Sequence, residues 1–330
     1  MRKILIVFSI AAVVWVCSYS TGNSWGFFAH QRINRMAVFT LPPEMIGFYK
    51  QNIEFITTHA VDPDKRRNAV KDEAERHYID IDHYSHSGKS PFEIVPAKWK
   101  DAVVKFTEDT LKSYGIVPWH INLMMMRLTD AFKEEKLDRI LHLSADLGHY
   151  VGDANVPLHT TENYNGQMTN QKGIHGFWES RLPELMHEEY DYFVGRAAYI
   201  DKPLERAWNI VKSSFAAKDS VLLFEAKLNE TYPSDQKYTM ENRGNTLMKV
   251  YSEGYSRMYD KMLDGMVEKR LRQSIISVGS FWYTAWVNAG KPDLSRLGGK
   301  QLTAEERKKI EEEEKEWKKE KIKNAKGHDD

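Results

Sequence analysis

Two histidine–carboxylate pairs stand four residues apart in one stretch of the chain. His149 and Asp153 lie in HYVGD, His175 and Glu179 lie in HGFWE, and His159 falls between them. On a helix, positions i and i+4 share a face, so each pair projects an imidazole and a carboxylate in one direction. Imidazole nitrogen and carboxylate oxygen converging on one point is a donor set for zinc. One such pair is more often a helix-surface hydrogen bond. Two pairs within thirty-one residues, with another histidine between them, favour metal. The single cysteine, Cys17, excludes a disulfide framework and a cysteine-ligated site, which leaves twelve histidines as the main store of such chemistry.

Further candidates lie upstream. His77 sits in RHYID, and Asp62 lies fifteen residues earlier in HAVDPDKRR. Taken alone, Asp62 and Asp64 read as a turn and helix-cap pair around Pro63. Trp25 and His30 stand five residues apart, where a buried aromatic and a surface histidine are the default. Asp146 and His142 precede His149 by three and seven residues, close to its helix face. They could support it from behind or simply be buried polar partners.

The elements that must position these residues are helices. Residues 99–113, 121–134, 136–153, 204–229 and 240–290 carry apolar side chains at three- and four-residue spacing. Pro42-Pro43, Pro63, Pro118, Pro157 and Pro203 fall at helix boundaries, and Asn165-Gly166 is the one candidate turn, in a polar loop. There is no internal repeat and no Gly/Ser linker dividing the core. The expected fold is all-α, a single multi-helical domain. Met124-Met125-Met126 and Phe281-Trp282-Tyr283 with Trp286 read as core. After Gly298-Gly299 the composition changes, with ten basic and ten acidic side chains in residues 300–330. Residues 299–330 are expected to be a solvated charged helix or frayed tail.

The ends and the overall charge narrow the role. Arg2 and Lys3 precede an apolar run from Ile4 to Val16, followed by small and polar residues through Ser24. This is a secretory signal pattern, too short to span a bilayer, and cleavage after Ser24 would expose Trp25 as the new terminus. The protein is expected to be exported, periplasmic or extracellular. A lipoprotein anchor at Cys17 is disfavoured by the bulky Val16 before it. Forty-seven basic groups cancel forty-seven acidic ones, so no bulk positive charge exists to hold nucleic acid non-specifically.

Trp25, His30, Asp62, His77, His149-x3-Asp153-x5-His159 and His175-x3-Glu179, taken in that order, resemble the zinc-dependent phospholipase C and S1/P1 nuclease superfamily. The resemblance runs from Trp25 to about Gly290, and residues 25–298 would form the phosphodiesterase domain. It implies an all-α fold and three zinc ions. By that resemblance Asp62, His77, His149 and Asp153 would hold one zinc, and His159, His175 and Glu179 the second. The amino group and carbonyl of Trp25 with His30 would hold the third, bridged by Asp153. Asp62 is the implied catalytic residue, orienting and deprotonating the attacking water.

Within the superfamily three features lean toward phospholipases. Asn155 stands where nucleases usually carry a second histidine, the segment from His159 to His175 is short, and the last ligand is Glu179 where nucleases usually have aspartate. Against choline selectivity stands Phe28, three residues after Trp25, where choline-selective enzymes place an acidic residue. Only aromatic faces such as Phe27, Phe28 or Tyr78 would then remain for a quaternary ammonium group. The expected partner is a phospholipid or membrane surface, with single-stranded nucleic acid as the alternative substrate and no stable protein partner. A non-catalytic, zinc-stabilised helical protein is the third reading.

Overall fold

The computed structural model describes residues 26–86, 88–243, 246–297 and isolated positions from 305 to 316. The long elements are helices α1 (Phe27–Ala37), α3 (Val117–Lys133), α4 (Leu137–Ala154), α5 (Pro203–Thr231), α6 (Glu253–Leu263) and α7 (Met266–Asn288), with the short α2 (Asp62–Arg66) between the first two. Pro63, Pro118 and Pro203 each sit in the first turn of their helix, where the missing N–H has no intrahelical acceptor to lose. Among the described residues the fold is all-α apart from one two-stranded ribbon.

Two expected helices are interrupted. The segment 99–113 breaks at Thr107, whose φ of 69° ends Trp99–Phe106. Its Oγ1 then accepts from the Thr110 amide and caps Glu108–Ser113. The segment 240–290 is helical only from Glu253. Before it, β1 (Tyr238–Arg243) and β2 (Thr246–Tyr251) form an antiparallel ribbon, with Tyr238 opposite Tyr251 and Arg243 opposite Thr246. Tyr238, Thr239, Thr246, Val250 and Tyr251 favour a pleated surface, and Gly244-Asn245 is a turn pair in the sequence between them.

Helix α4 runs through the core and is pinned from several sides. Gly148 lets α1 approach closely: a Cβ there would lie 2.0 Å from Asn34 Oδ1, while Asn34 Nδ2 donates to the Ala145 carbonyl at 3.0 Å. Trp282 of α7 donates from Nε1 to the Ser144 carbonyl at 2.9 Å and stacks on Tyr49, with ring centroids 4.9 Å apart. Ser214 of α5 donates to the Ala154 carbonyl at 2.6 Å. Met124, Met125, Phe281, Trp282 and Trp286 are buried as expected, whereas Met126 is exposed. Each fully buried aromatic of this kind contributes about 2–3 kcal/mol. Packing therefore fixes the face of α4 that carries His149 and Asp153.

No helix among the described residues is long and apolar enough to cross a membrane. The signal-like segment, Trp25 and Gly298-Gly299 lie outside the described residues. The described positions of the charged tail are helical and exposed.

Candidate metal centre

The spacing argument holds in three dimensions. His149 and Asp153, one turn apart on α4, are both fully buried, with His149 Nε2 3.2 Å from Asp153 Oδ2. His149 Nδ1 donates to the Ala60 carbonyl at 2.9 Å, which turns Nε2 inward. Around this pair gather His77, with Nδ1 2.9 Å from Asp153 Oδ2, and His30, with Nε2 3.4 Å from Asp153 Oδ1. His30 stacks on His149 at 3.8 Å. Gly152 makes room for it, since a Cβ there would lie 3.2 Å from the His30 ring.

The second pair adjoins the first. His175 Nε2 lies 3.1 Å from Glu179 Oε2, and His159 Nε2 lies 3.4 Å from the same oxygen. His159 Nδ1 donates to the His77 carbonyl at 2.7 Å, again leaving Nε2 toward the carboxylate. The polar loop supplies the geometry of His175. Asn165 Oδ1 accepts from the Gly173 amide at 2.7 Å and from the His175 amide at 3.4 Å. Residues Phe177–Arg181 form a π-helical turn, a distortion common at functional sites. Arg181 then donates to the Tyr251 carbonyl at 3.1 Å and pairs with Glu241, so the ribbon absent from the sequence reading braces the segment bearing Glu179.

One candidate ligand stands apart. Asp62 faces away from the cluster: its Oδ2 is 2.5 Å from His59 Nδ1 and its Oδ1 accepts from Lys65 at 2.9 Å. Asp64 takes the place expected of it, with Oδ1 3.5 Å from His149 Nε2 and 3.7 Å from His77 Nδ1. The reason is helical phase. Two residues on a helix differ by about 200° around its axis, so α2 can aim only one of the two carboxylates at α4. Trp25 lies outside the described residues. Gly26 is buried against Ser180, next to Glu179, where a Cβ would meet Ser180 Oγ at 2.6 Å.

Behind the cluster lies a charged network that sequence reasoning missed, except for Asp146. Arg66 donates to Asp146 at 2.8 and 3.2 Å and reaches Glu73 at 3.1 Å, and Tyr150 donates to Glu73. Glu73 in turn lies 3.8 Å from His77 Nε2. Burial favours the neutral acid, but Arg66, His77 and Arg76 outweigh it and hold Glu73 down at about 2. His142 lies beside His59 and Phe55.

The donor set fits metal. Both ring nitrogens of His30 and both Glu179 oxygens are buried without a hydrogen bond, although His30 and Glu179 are only 1% and 0% exposed. Buried polar atoms left in that state are rare unless something else occupies them. Burial pushes His30 and His77 below the ordinary histidine range, toward the neutral form that ligates. His149 is the opposite: burial pulls it down, but Asp153 and Asp64 outweigh that and hold it well above the usual range. Ligand atoms of His30, Asp64 and His149 lie within 4.8 Å of one another, as do those of His77, His149 and Asp153, and those of His159, His175 and Glu179.

Aromatic faces for a head group are fewer than expected. Tyr78 is buried, and Arg32 already lies over Phe28 at 5.3 Å, with His187 tilted against the same ring at 4.7 Å. Phe27 remains exposed. Burial pushes Asp80 up to about 8, helped by the neighbouring charges of Asp82 and Glu162. A carboxyl whose pKa is raised in the folded state costs stability progressively as pH climbs from the unfolded value toward the folded one. Asp80→Asn is therefore expected to change stability little below pH 4 and to raise it by a few kcal/mol at pH 8. Melting curves across that range check this; a gain independent of pH would contradict it.

No family model matches the chain, and no curated protein matches it. Among solved structures, two bacterial toxins are similar to it. The alpha-toxin of Clostridium perfringens from avian strain SWCP gives a TM-score of 0.47 at 15% identity, covering 82% of this chain and 65% of that one. The alpha toxin of Clostridium absonum gives 0.44 at 14% identity, covering 80% and 64%. The chain thus spans just under two thirds of either toxin. At these scores the likeness assigns no residue and no activity.

Proposed function

We propose that this chain is an exported zinc-dependent phosphodiester hydrolase, acting on phospholipid head groups in the manner of a phospholipase C. The observation that carries the reading is the convergence of five histidines and three carboxylates from separate segments into one buried cluster, several of their polar atoms lacking hydrogen bonds. In this reading Asp64, His77, His149 and Asp153 hold one zinc, and His159, His175 and Glu179 hold a second. His30 would hold a third together with the amino group and carbonyl of Trp25, which lies outside the described residues, and Asp153 lies against His30, His77 and His149 alike. Zinc ions there would supply an acidified water and positive charge for the phosphoryl oxygens.

The chain's own residues prepare this chemistry. The Ala60 and His77 carbonyls fix the tautomers of His149 and His159, so that Nε2 of each faces inward. In this reading Asp64, rather than Asp62, would orient the attacking water and take its proton, because of the two it is Asp64 that faces His77 and His149. Arg66 and Glu73 hold His77 and α4 in register from behind. Asn155 is spent on the helix terminus, donating to the Val151 carbonyl at 2.8 Å, and adds no ligand.

The test is a parallel assay of zinc-loaded protein on phosphatidylcholine vesicles, phosphatidylethanolamine vesicles, single-stranded DNA and RNA. Head-group release abolished by chelator is expected, with no strong preference for choline, since Arg32 occupies the face of Phe28 and Tyr78 is buried. Cleavage of single strands with intact lipid would transfer the reading to the nuclease branch. Inertness on all four would leave a zinc-stabilised structural protein.

A further inference from the structure

The carboxylate that turned away from the buried cluster has its own company. His59 follows the helix Ile53–Thr58, Asp62 opens α2, and His142 comes across from α4. One ligand atom from each lies within 4.8 Å of the others. The two imidazole rings meet at 5.4 Å, and Phe55 walls them in, stacked on His59 at 4.0 Å and edge-on to His142 at 4.9 Å. We propose that His59, Asp62 and His142 form a separate, exchangeable site for zinc or a similar imidazole-preferring divalent cation.

Geometry and chemistry carry this together. Two imidazoles and one carboxylate, drawn from α2, α4 and the turn that precedes α2, are the ligand number and type that zinc accepts while leaving a position open to solvent. The site is distinct from the buried centre because Asp62 and Asp64 leave α2 on opposite sides. It also differs in access. His59 and His142 are half-buried, whereas every described histidine of the inner cluster is buried, so an ion here can exchange with solvent. Two features set the affinity. His59 Nδ1 and Asp62 Oδ2, now 2.5 Å apart, must open to about 3.3 Å to share an ion, and Lys65 holds the other oxygen of Asp62. Both weaken binding without blocking it, since the ammonium contacts Oδ1 while the imidazole faces Oδ2. An ion held here would tie α2 to α4 and so help position Asp64.

The proposal does not depend on what the inner centre hydrolyses. Protein loaded with zinc and desalted would be titrated with Zn²⁺ by equilibrium dialysis. The wild type is expected to take up one further equivalent, and His142→Ala to lose that equivalent while keeping the tightly held zinc. Lys65→Met removes the competing ammonium and is expected to lower the dissociation constant of the added ion about threefold to tenfold, a change that a merely structural role for this trio would not produce. Uptake of the same added zinc by wild type and His142→Ala would overturn the proposal. So would a Lys65→Met variant that binds the added ion no more tightly.

Discussion

Chelation of the zinc-loaded protein lowers its melting temperature by about 10 °C or more, and Zn²⁺ restores it where Mg²⁺ does not. The ligands come from α1, α2, the segment at His77, α4, and the turns at His159 and His175, which otherwise meet through packing and a few hydrogen bonds and ion pairs. Metal bound to the native state alone adds its binding energy to folding, about 4 kcal/mol for each ion present at a thousand times its dissociation constant. At roughly 2–4 °C per kcal/mol for a chain of 150–250 residues, and less for a longer one, loss of more than one ion reaches the predicted fall. Removing the ions also leaves Asp64, Asp153 and Glu179 buried against imidazoles. Magnesium fails because it prefers oxygen ligands and keeps its water, and this set is rich in imidazole. A chelated protein that melts where the loaded one does would end the metal reading.

Asp64→Ala and Asp153→Ala each lower turnover by more than about 10²-fold, the upper range for residues that act from behind a metal's own ligands, while Asp62→Ala stays within about tenfold. The contrast between Asp62 and Asp64 rests on direction alone, because the two differ only in which side of α2 they face. Zinc content separates the remaining roles. Asp153 touches His30, His77 and His149, so Asp153→Ala should disturb two ions, whereas His175→Ala and Glu179→Ala empty one. Zinc per chain after desalting is the readout. Equal losses from Asp153→Ala and His175→Ala would mean that the bridging role belongs to another carboxylate.

The outcome for α2 shows what a sequence can and cannot carry. Pairs at i and i+4 are visible without a fold, because helix geometry fixes them, and both pairs stand as the spacing required. The choice between Asp62 and Asp64 was not visible, because it depends on the rotation of a five-residue helix set by tertiary packing. Arg66 and Glu73 were overlooked for a similar reason. Arg66 sits in a basic run that reads as solvated surface, yet it is drawn inward by Asp146 and Glu73. The ribbon at 238–251 was hidden by Met240, Leu247 and Met248, whose spacing mimics a helix in a segment mostly exposed on both faces. Asn165-Gly166 was found as a turn from its residues, but its service to His175 needed the carboxamide oxygen to be located.

The most direct test of the central claim is anomalous scattering at the zinc edge from crystals of zinc-loaded protein that begins at Trp25. The account predicts three peaks inside the buried cluster, one within ligand reach of Asp64, His77, His149 and Asp153, one of His159, His175 and Glu179, and one of His30 and Asp153. Crystals grown from zinc-loaded protein that show no peak among these side chains would contradict it.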